Sequence, residues 1–492
     1  MRPRPARLAL VSAIVLFAWA QGAAGATSIR RENQRPGRWG WILRAASQRH
    51  VDAYGSQISV VAGRSVALHV STVPAARYRI EVFRLGWYHG AGARLVECLP
   101  ACAVSGRGGS GRAGHARPVP PADPKTGELA LRWPVTDRIH THRIWASGEY
   151  LAQVVLATGP ERGRATWVPF VVRPVRPSPG AITVVVPVNT WEAYNNWGGK
   201  SLYTFNSTGK RAAVKVSFDR PWARDEENDS FPVAFEYRYI QFLERNGFPL
   251  EYATDLDVDR RPDLLLRHPL AAMIGHGEYW SGAIRDAWDA ARDAGKNLAF
   301  LGANIGFWQI RYEDRRHTIV EYRDSGLDPD PSAAEKTTFF RRLDPPRPEC
   351  QLEGVQFQYG GLKAPLVNDY VVTAAANPWL TEAGLRPGDV LAGAVRGEWD
   401  AVEPRCDAPA PTVLFHYGGA DPADATVTNT PAGGRVLALG SEGFGRLVSG
   451  FRKPRCLVDA RAETFLRAAI GDLGEVASLP PMPAGCVRHR RT

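Results

Sequence analysis

The run Ile274-Gly275-His276-Gly277-Glu278-Tyr279-Trp280-Ser281 sets an imidazole and a carboxylate two positions apart. Both groups can move protons or ligate a metal. Three other stretches carry comparable chemistry. Asn189 to Tyr203 crowds Tyr194, Tyr203, several amides and two tryptophans into one segment. Gly302 to Trp308 contains Asn304, and Ser441 to Gly445 contains Glu442. Each also has a purely structural reading. Glu278 is placed to favour the start of a helix near residue 281, and His276 to bond backbone. Tyr194 and Tyr203 suit a core with satisfied hydroxyls, Asn304 suits a turn, and Glu442 suits a strand end. His268 and His317 read as surface residues. There is no G-x-S-x-G motif and no cysteine at a strand-to-helix elbow, which argues against serine or cysteine nucleophiles.

The elements that must position these groups follow from periodicity. Leu270–Ile274 is a short apolar run, and Ile284, Ala287, Trp288 and Ala291 recur at helical spacing after it. His276 and Glu278 therefore fall on a strand-to-helix turn, where ligands bind in open α/β sheets. Ile182–Val186 reads as a strand covered on both faces. Leu298–Leu301, Thr412–Phe415 and Arg435–Leu439 are further strand candidates. Val233–Asn246 and Ala460–Ile470 read as helices, with Gly247 and Gly471 placed to end them. Strands alternating with helices imply a doubly wound parallel sheet over residues 181–480. On such a sheet all four motif-bearing loops share one edge.

Residues 27–175 read as all-β. Short alternating runs such as Gln57–Val61, Tyr78–Phe83 and Thr166–Val172 suggest a β-sandwich. Residues 98–140, rich in Gly, Arg, Ser and Pro, read as a surface insertion, and residues 310–350 as a loop excursion. The proline-rich run from Arg173 to Gly180 reads as a linker between the two parts.

Composition limits the function class. The 492 residues have 44% apolar content and a net charge of +11. The positive charge is dispersed and mostly arginine, without the dense block that tracks a phosphate backbone, so no nucleic-acid partner is expected. Arg2, Arg4 and Arg7 precede the apolar Leu8–Trp19 run and the small residues Ala24-Gly25-Ala26. That is the pattern of a signal peptide over residues 1–26, an address for secretion or the periplasm. No later segment reaches membrane-span length. Six cysteines in an exported chain imply disulfides, and sequence proximity suggests Cys98–Cys102, Cys350–Cys406 and Cys456–Cys486.

The blocks TWEAYNNWGG, SLYTFN, FLERNG, TDLD, GHGEYWS and LGANIGFW resemble the catalytic region of the N,N-dimethylformamidase large (beta) subunit family, and FRLGWYHGAGARLV resembles its N-terminal β region. The resemblance spans about residues 50–310. It implies an immunoglobulin-like β-sandwich followed by a glutamine-amidotransferase-like α/β domain. It also implies a mononuclear iron, Fe3+, held by two tyrosines and a glutamate, which carry over to Tyr194, Tyr203 and Glu278. Trp191 occupies the position of the other candidate tyrosine, leaving Tyr194. His276, Asn304 and Glu442 would then act around the metal as proton carrier, oxyanion partner and additional polar group. The block around Tyr203 lacks the His, Asp and Gly content of the formamidase. The expected activity is hydrolysis of an amide C–N bond. The competing expectation is a non-catalytic binder of saccharides or envelope polymers, with an aromatic-lined cleft.

Overall fold

The computed structural model describes residues 29–42, 44–101, 111–223, 235–360, 367–450 and 459–481. Helices and several sheets make a mixed α/β protein. Val51–Gly55, Ser65–Thr72 and Asp137–His140 form an antiparallel three-stranded sheet. A six-stranded sheet runs in the order Ser59–Val61, Ala165–Arg173, Gly148–Leu156, Arg77–Leu85 and Ala93–Leu99, with Arg112–Ala113 beside Arg77–Leu85.

The long strands of this second sheet are apolar on both faces because both are covered. Ile80, Val82, Tyr150, Ala152 and Val154 face the three-stranded sheet in one core. Phe83, Leu85, Leu151, Val155 and Val171 join another core with Ile182, Phe242 and Leu250 from the following α/β part. The run from Gly148 to Leu156 is buried at every position, as burial on both faces requires. The expected surface insertion is partly core: Leu129, Leu131 and Trp133 are buried against Tyr54 and Trp197.

From Ile182 onward a nine-stranded sheet takes over. Its parallel half runs Leu250–Thr254, Ile182–Val186, Leu270–Ile274, Asn297–Leu301 and Arg435–Ala438. The other half, Ala423–Asn429, Thr412–Tyr417, Val367–Val372 and Val390–Arg396, is antiparallel. The expectation of a wholly parallel sheet is thus corrected. The reason is connection length. Only short loops join Thr412–Tyr417, Ala423–Asn429 and Arg435–Ala438, whereas a parallel crossover needs a dozen residues or more.

Helix Glu236–Arg245 ends before Gly247, which has φ +70°. Helix Ala460–Leu473 instead runs through Gly471 and stops at Gly474; packing of Ala462, Phe465, Leu466, Ala469, Ile470 and Leu473 on the core overrides glycine's modest helix penalty. Residues 310–350 are less irregular than expected, contributing strands Trp308–Glu313 and Thr318–Val320. His268 is buried and bonded to Glu251 at 3.0 Å, not on the surface. Cys350 and Cys406 form a disulfide. The other two expected pairs each include cysteines outside the described residues, as does the expected signal peptide. No helix among the described residues is long and apolar enough to cross a membrane.

Candidate active site

The carboxyl ends of the parallel strands deliver the motif residues. Ile182–Val186 leads into helix Val188–Tyr194, which presents Tyr194. Leu270–Ile274 leads to His276 and Glu278, Asn297–Leu301 to Asn304, and Arg435–Ala438 to Glu442. Two glycines let these turns approach. Gly275 has φ +74°, and a Cβ on Gly302 would lie 2.0 Å from the Gly275 carbonyl oxygen. Asn304 itself takes φ +50°, which Asn tolerates better than most residues.

The segment carrying Tyr194 and Tyr203 is a helix and a tied loop. Arg220, fully buried, donates to Glu192 Oε1 and to the carbonyls of Lys200 and Asn195, each at 2.7 Å. Burial raises the Glu192 carboxyl to about 7 against the opposing pull of Arg220. Asn206 Nδ2 donates to the Tyr194 carbonyl at 3.1 Å, and Asn189 Nδ2 ties the helix to the Tyr279 carbonyl at 3.1 Å. The amides and the arginine thus satisfy backbone that would otherwise be buried unpaired.

The hydroxyls of Tyr194 and Tyr203 donate to the same oxygen of Glu278, Oε2, at 3.1 and 2.7 Å. Their rings lie 4.2 Å apart. Trp308 Nε1 donates to Glu278 Oε1 at 2.9 Å. Tyr279 donates to the Tyr203 oxygen at 2.7 Å, and Arg323 Nη2 donates to the Tyr279 oxygen at 2.7 Å. The Arg323 guanidinium also sits 4.2 Å from the Tyr203 ring centre and 4.5 Å from that of Trp308. A line of donors therefore runs from a cation to a buried carboxylate.

The helix-cap alternative for Glu278 is not what the geometry shows: Ser281 caps the Gly282–Asp293 helix by accepting from Ile284 N. Burial raises the Glu278 pKa, against the charge of His276. Burial, followed by the Glu278 charge, holds Tyr194 and Tyr203 well above the ordinary phenol range. The two phenols thus stay protonated, Tyr203 even beside the Arg323 guanidinium.

His276 stands beside this cluster. Its Nε2 is 3.0 Å from Glu398 Oε2 and 3.6 Å from Glu278 Oε2, and its Nδ1 is 3.4 Å from Glu442 Oε1. Burial alone would push the ring pKa down, but Glu398 and then Glu442 outweigh it and the net shift is strongly upward. The Nε2 contact with Glu398 is close in charge but poorly aligned as a hydrogen bond, so Nε2 is left without a directed partner. Asn304 Nδ2 donates to Glu398 at 2.6 Å, its backbone N–H donates to Asp400, and its Oδ1 is buried and unpartnered. His276, Glu398 and Glu442 offer ligand atoms within 4.8 Å of one another and could hold a metal ion.

The six site candidates, Tyr194, Tyr203, His276, Glu278, Asn304 and Glu442, fall in this one cluster. Sequence reading missed Glu398, Asp400, Arg323 and the participation of Tyr279 and Trp308. Glu398 and Asp400 lie on strand Glu398–Ala401, which pairs with Gln356–Gly360 outside the main sheet. The run Gly397-Glu398-Trp399-Asp400 repeats the glycine-acid-aromatic pattern of Gly277-Glu278-Tyr279, which was a usable signal. Arg323 has no local mark among the many arginines.

The strand ends of a mixed α/β sheet thus gather acids, phenols and an imidazole into one cluster. The sequence profile of the N,N-dimethylformamidase beta subunit-like, C-terminal family matches residues 79–450, and the chain belongs to that family. A search of curated proteins gives no significant match.

Proposed function

We propose that this protein is an exported amidohydrolase that cleaves an amide C–N bond, with Tyr194, Tyr203 and Glu278 holding a trivalent iron. One observation carries the reading: two phenol oxygens from one segment reach the same carboxylate oxygen of a residue 75 positions or more away in sequence. The donor set fits the ion. Three oxygens suit a hard cation, and buried phenols that stay protonated alone are groups a high local positive charge would ionise. When bound, such an ion supplies Lewis acidity and a hydroxide source at neutral pH. We also read the N-terminal sheets as an immunoglobulin-like sandwich and the remainder as a glutamine-amidotransferase-like domain. The apolar segment at Leu8–Trp19 and the Cys350–Cys406 disulfide support export.

The chain's own groups have distinct tasks in this reading. His276, charged between Glu398 and Glu442, holds a proton on Nε2 for the departing nitrogen. Asn304, fixed by Glu398 and Asp400, offers the second hydrogen of Nδ2 to the substrate carbonyl as charge develops on it. Arg323 and Tyr279 fix the Tyr203 oxygen.

The test is amine release from N,N-dimethylformamide and larger formamides by the wild type and by Glu278→Gln. Turnover that falls at least about 10²-fold in the variant supports the reading. No amine from any amide, or equal release by both proteins, refutes it. A second reading has its own observation: His276, Glu398 and Glu442 form a mixed nitrogen–oxygen set, which suits a divalent ion such as zinc. A colourless, zinc-loaded, active protein would favour it.

A further inference from the structure

The seam between the N-terminal sheets and the α/β part holds a cleft of about 310 Å³, open to solvent and separate from the cluster described above. Its apolar lining comes from both sides: Ile58, Val168 and Pro169 from one, Phe218, Trp222 and Leu256 from the other. The rest is basic. Arg260, Arg315, Arg316 and His317 line one side. Arg316 is committed to Asp259, and His317 bonds Asp219 at 3.0 Å. The guanidiniums of Arg260 and Arg315 are exposed and have no side-chain partner among the described residues. The turn bearing two of these arginines is unusual: Asp314, Arg315 and Arg316 have φ of +44°, +52° and +73° in succession. Non-glycine residues held this way cluster at ligand clamps and switch regions.

We propose that this cleft binds a small organic anion with an apolar body. The body lies against Trp222 and Leu256, and the anionic head meets Arg260 and Arg315. Two unpaired guanidiniums beside apolar walls match a charge-assisted contact on one end of a hydrophobic ligand. The volume is at the small end of the ligand-pocket range, the size of a fused aromatic acid and not of a polymer. The proposal does not depend on the metal or on the reaction.

The experiment is calorimetric titration of the full chain with naphthalene-2-carboxylate, alongside 2-naphthylmethanol and acetate. The acid is expected to bind saturably with one site per chain, at least about tenfold tighter than either control. The double variant Arg260→Gln/Arg315→Gln is expected to weaken it at least about tenfold, and Tyr203→Phe to leave it unchanged. Both arginines are exposed, and an unaltered circular dichroism spectrum shows that the double variant is folded. Absence of saturable binding, equal binding of the alcohol, an unaffected double variant, or loss of binding in Tyr203→Phe would each overturn the proposal.

Discussion

Glu278 accepts three hydrogen bonds from neutral donors inside a buried site. Removing its charge while keeping its shape, as in Glu278→Gln, is expected to leave the fold intact and abolish metal uptake. Metal content after gel filtration checks both. Asn304→Ala removes the partner of the substrate carbonyl and is expected to cost about 10²–10³-fold in turnover; Glu398 acts one contact further out, so Glu398→Gln is expected to cost about 10–100-fold, both measured as amine release. Beside the cluster, Glu321 accepts from Arg323 N and is 1% exposed, and burial raises its carboxyl to about 8 against the charge of Arg323. Its folded pKa lies above its unfolded one, so the stability it contributes is complete below about pH 4 and is lost as pH rises through 8. Unfolding midpoints measured from pH 5 to 8 should fall less steeply in Glu321→Gln than in the wild type. Apolar strand runs marked the segments that carry Tyr194, Tyr203, His276, Glu278, Asn304 and Glu442, while the choice of Tyr194, Tyr203 and Glu278 as metal ligands came from the family resemblance. Glu398 was overlooked although the Gly397-Glu398-Trp399 run resembles Gly277-Glu278-Tyr279, and Arg323 stayed hidden because only tertiary packing brings its segment to the cluster; Glu398 lies on a strand that pairs with the distant Gln356–Gly360.

Elements hold the cluster through close backbone approach and buried polar ties. Gly302→Ala would drive a methyl into the Gly275 carbonyl and is expected to cost about 1–3 kcal/mol or more by chemical denaturation. Arg220→Ala leaves Glu192 buried without its counter-charge and frees the loop that carries Tyr203. A loss of about 3–5 kcal/mol is expected, together with a matching loss of metal. The parallel strands and their turns were legible because continuous apolar runs and glycines mark them. Of the antiparallel half only Thr412–Phe415 was read as a strand, and as part of a parallel sheet; Val367–Val372, Val390–Arg396 and Ala423–Asn429 lack a continuous apolar run and went unrecognised, and the short loops at 418–422 and 430–434 mark the antiparallel turns. Helix Val188–Tyr194 was read as a loop because its amides and aromatics are poor helix formers. Its faces are instead fixed by Asp255, which accepts from Asn189 N, and by Asn189's own bond to Tyr279.

At the scale of the molecule, the two parts are joined by more than a linker. Arg84 on strand Arg77–Leu85 meets Glu244 on helix Glu236–Arg245 through two hydrogen bonds at 2.7 and 2.9 Å, both side chains fully buried. Asn33 and Tyr252 complete the carboxylate's partners. The change of sequence pattern near residue 180 was visible, but this shared core was not, because burial on a second face leaves no periodic signature. The site at the sheet edge rests on this frame, and its chemistry turns on one question. Purified wild-type protein should contain about one iron per chain and show a visible tyrosinate-to-iron absorption band that disappears in both Tyr194→Phe and Tyr203→Phe. Folded protein that takes up no iron, or that stays colourless with iron bound, would contradict the two-tyrosine, one-glutamate centre.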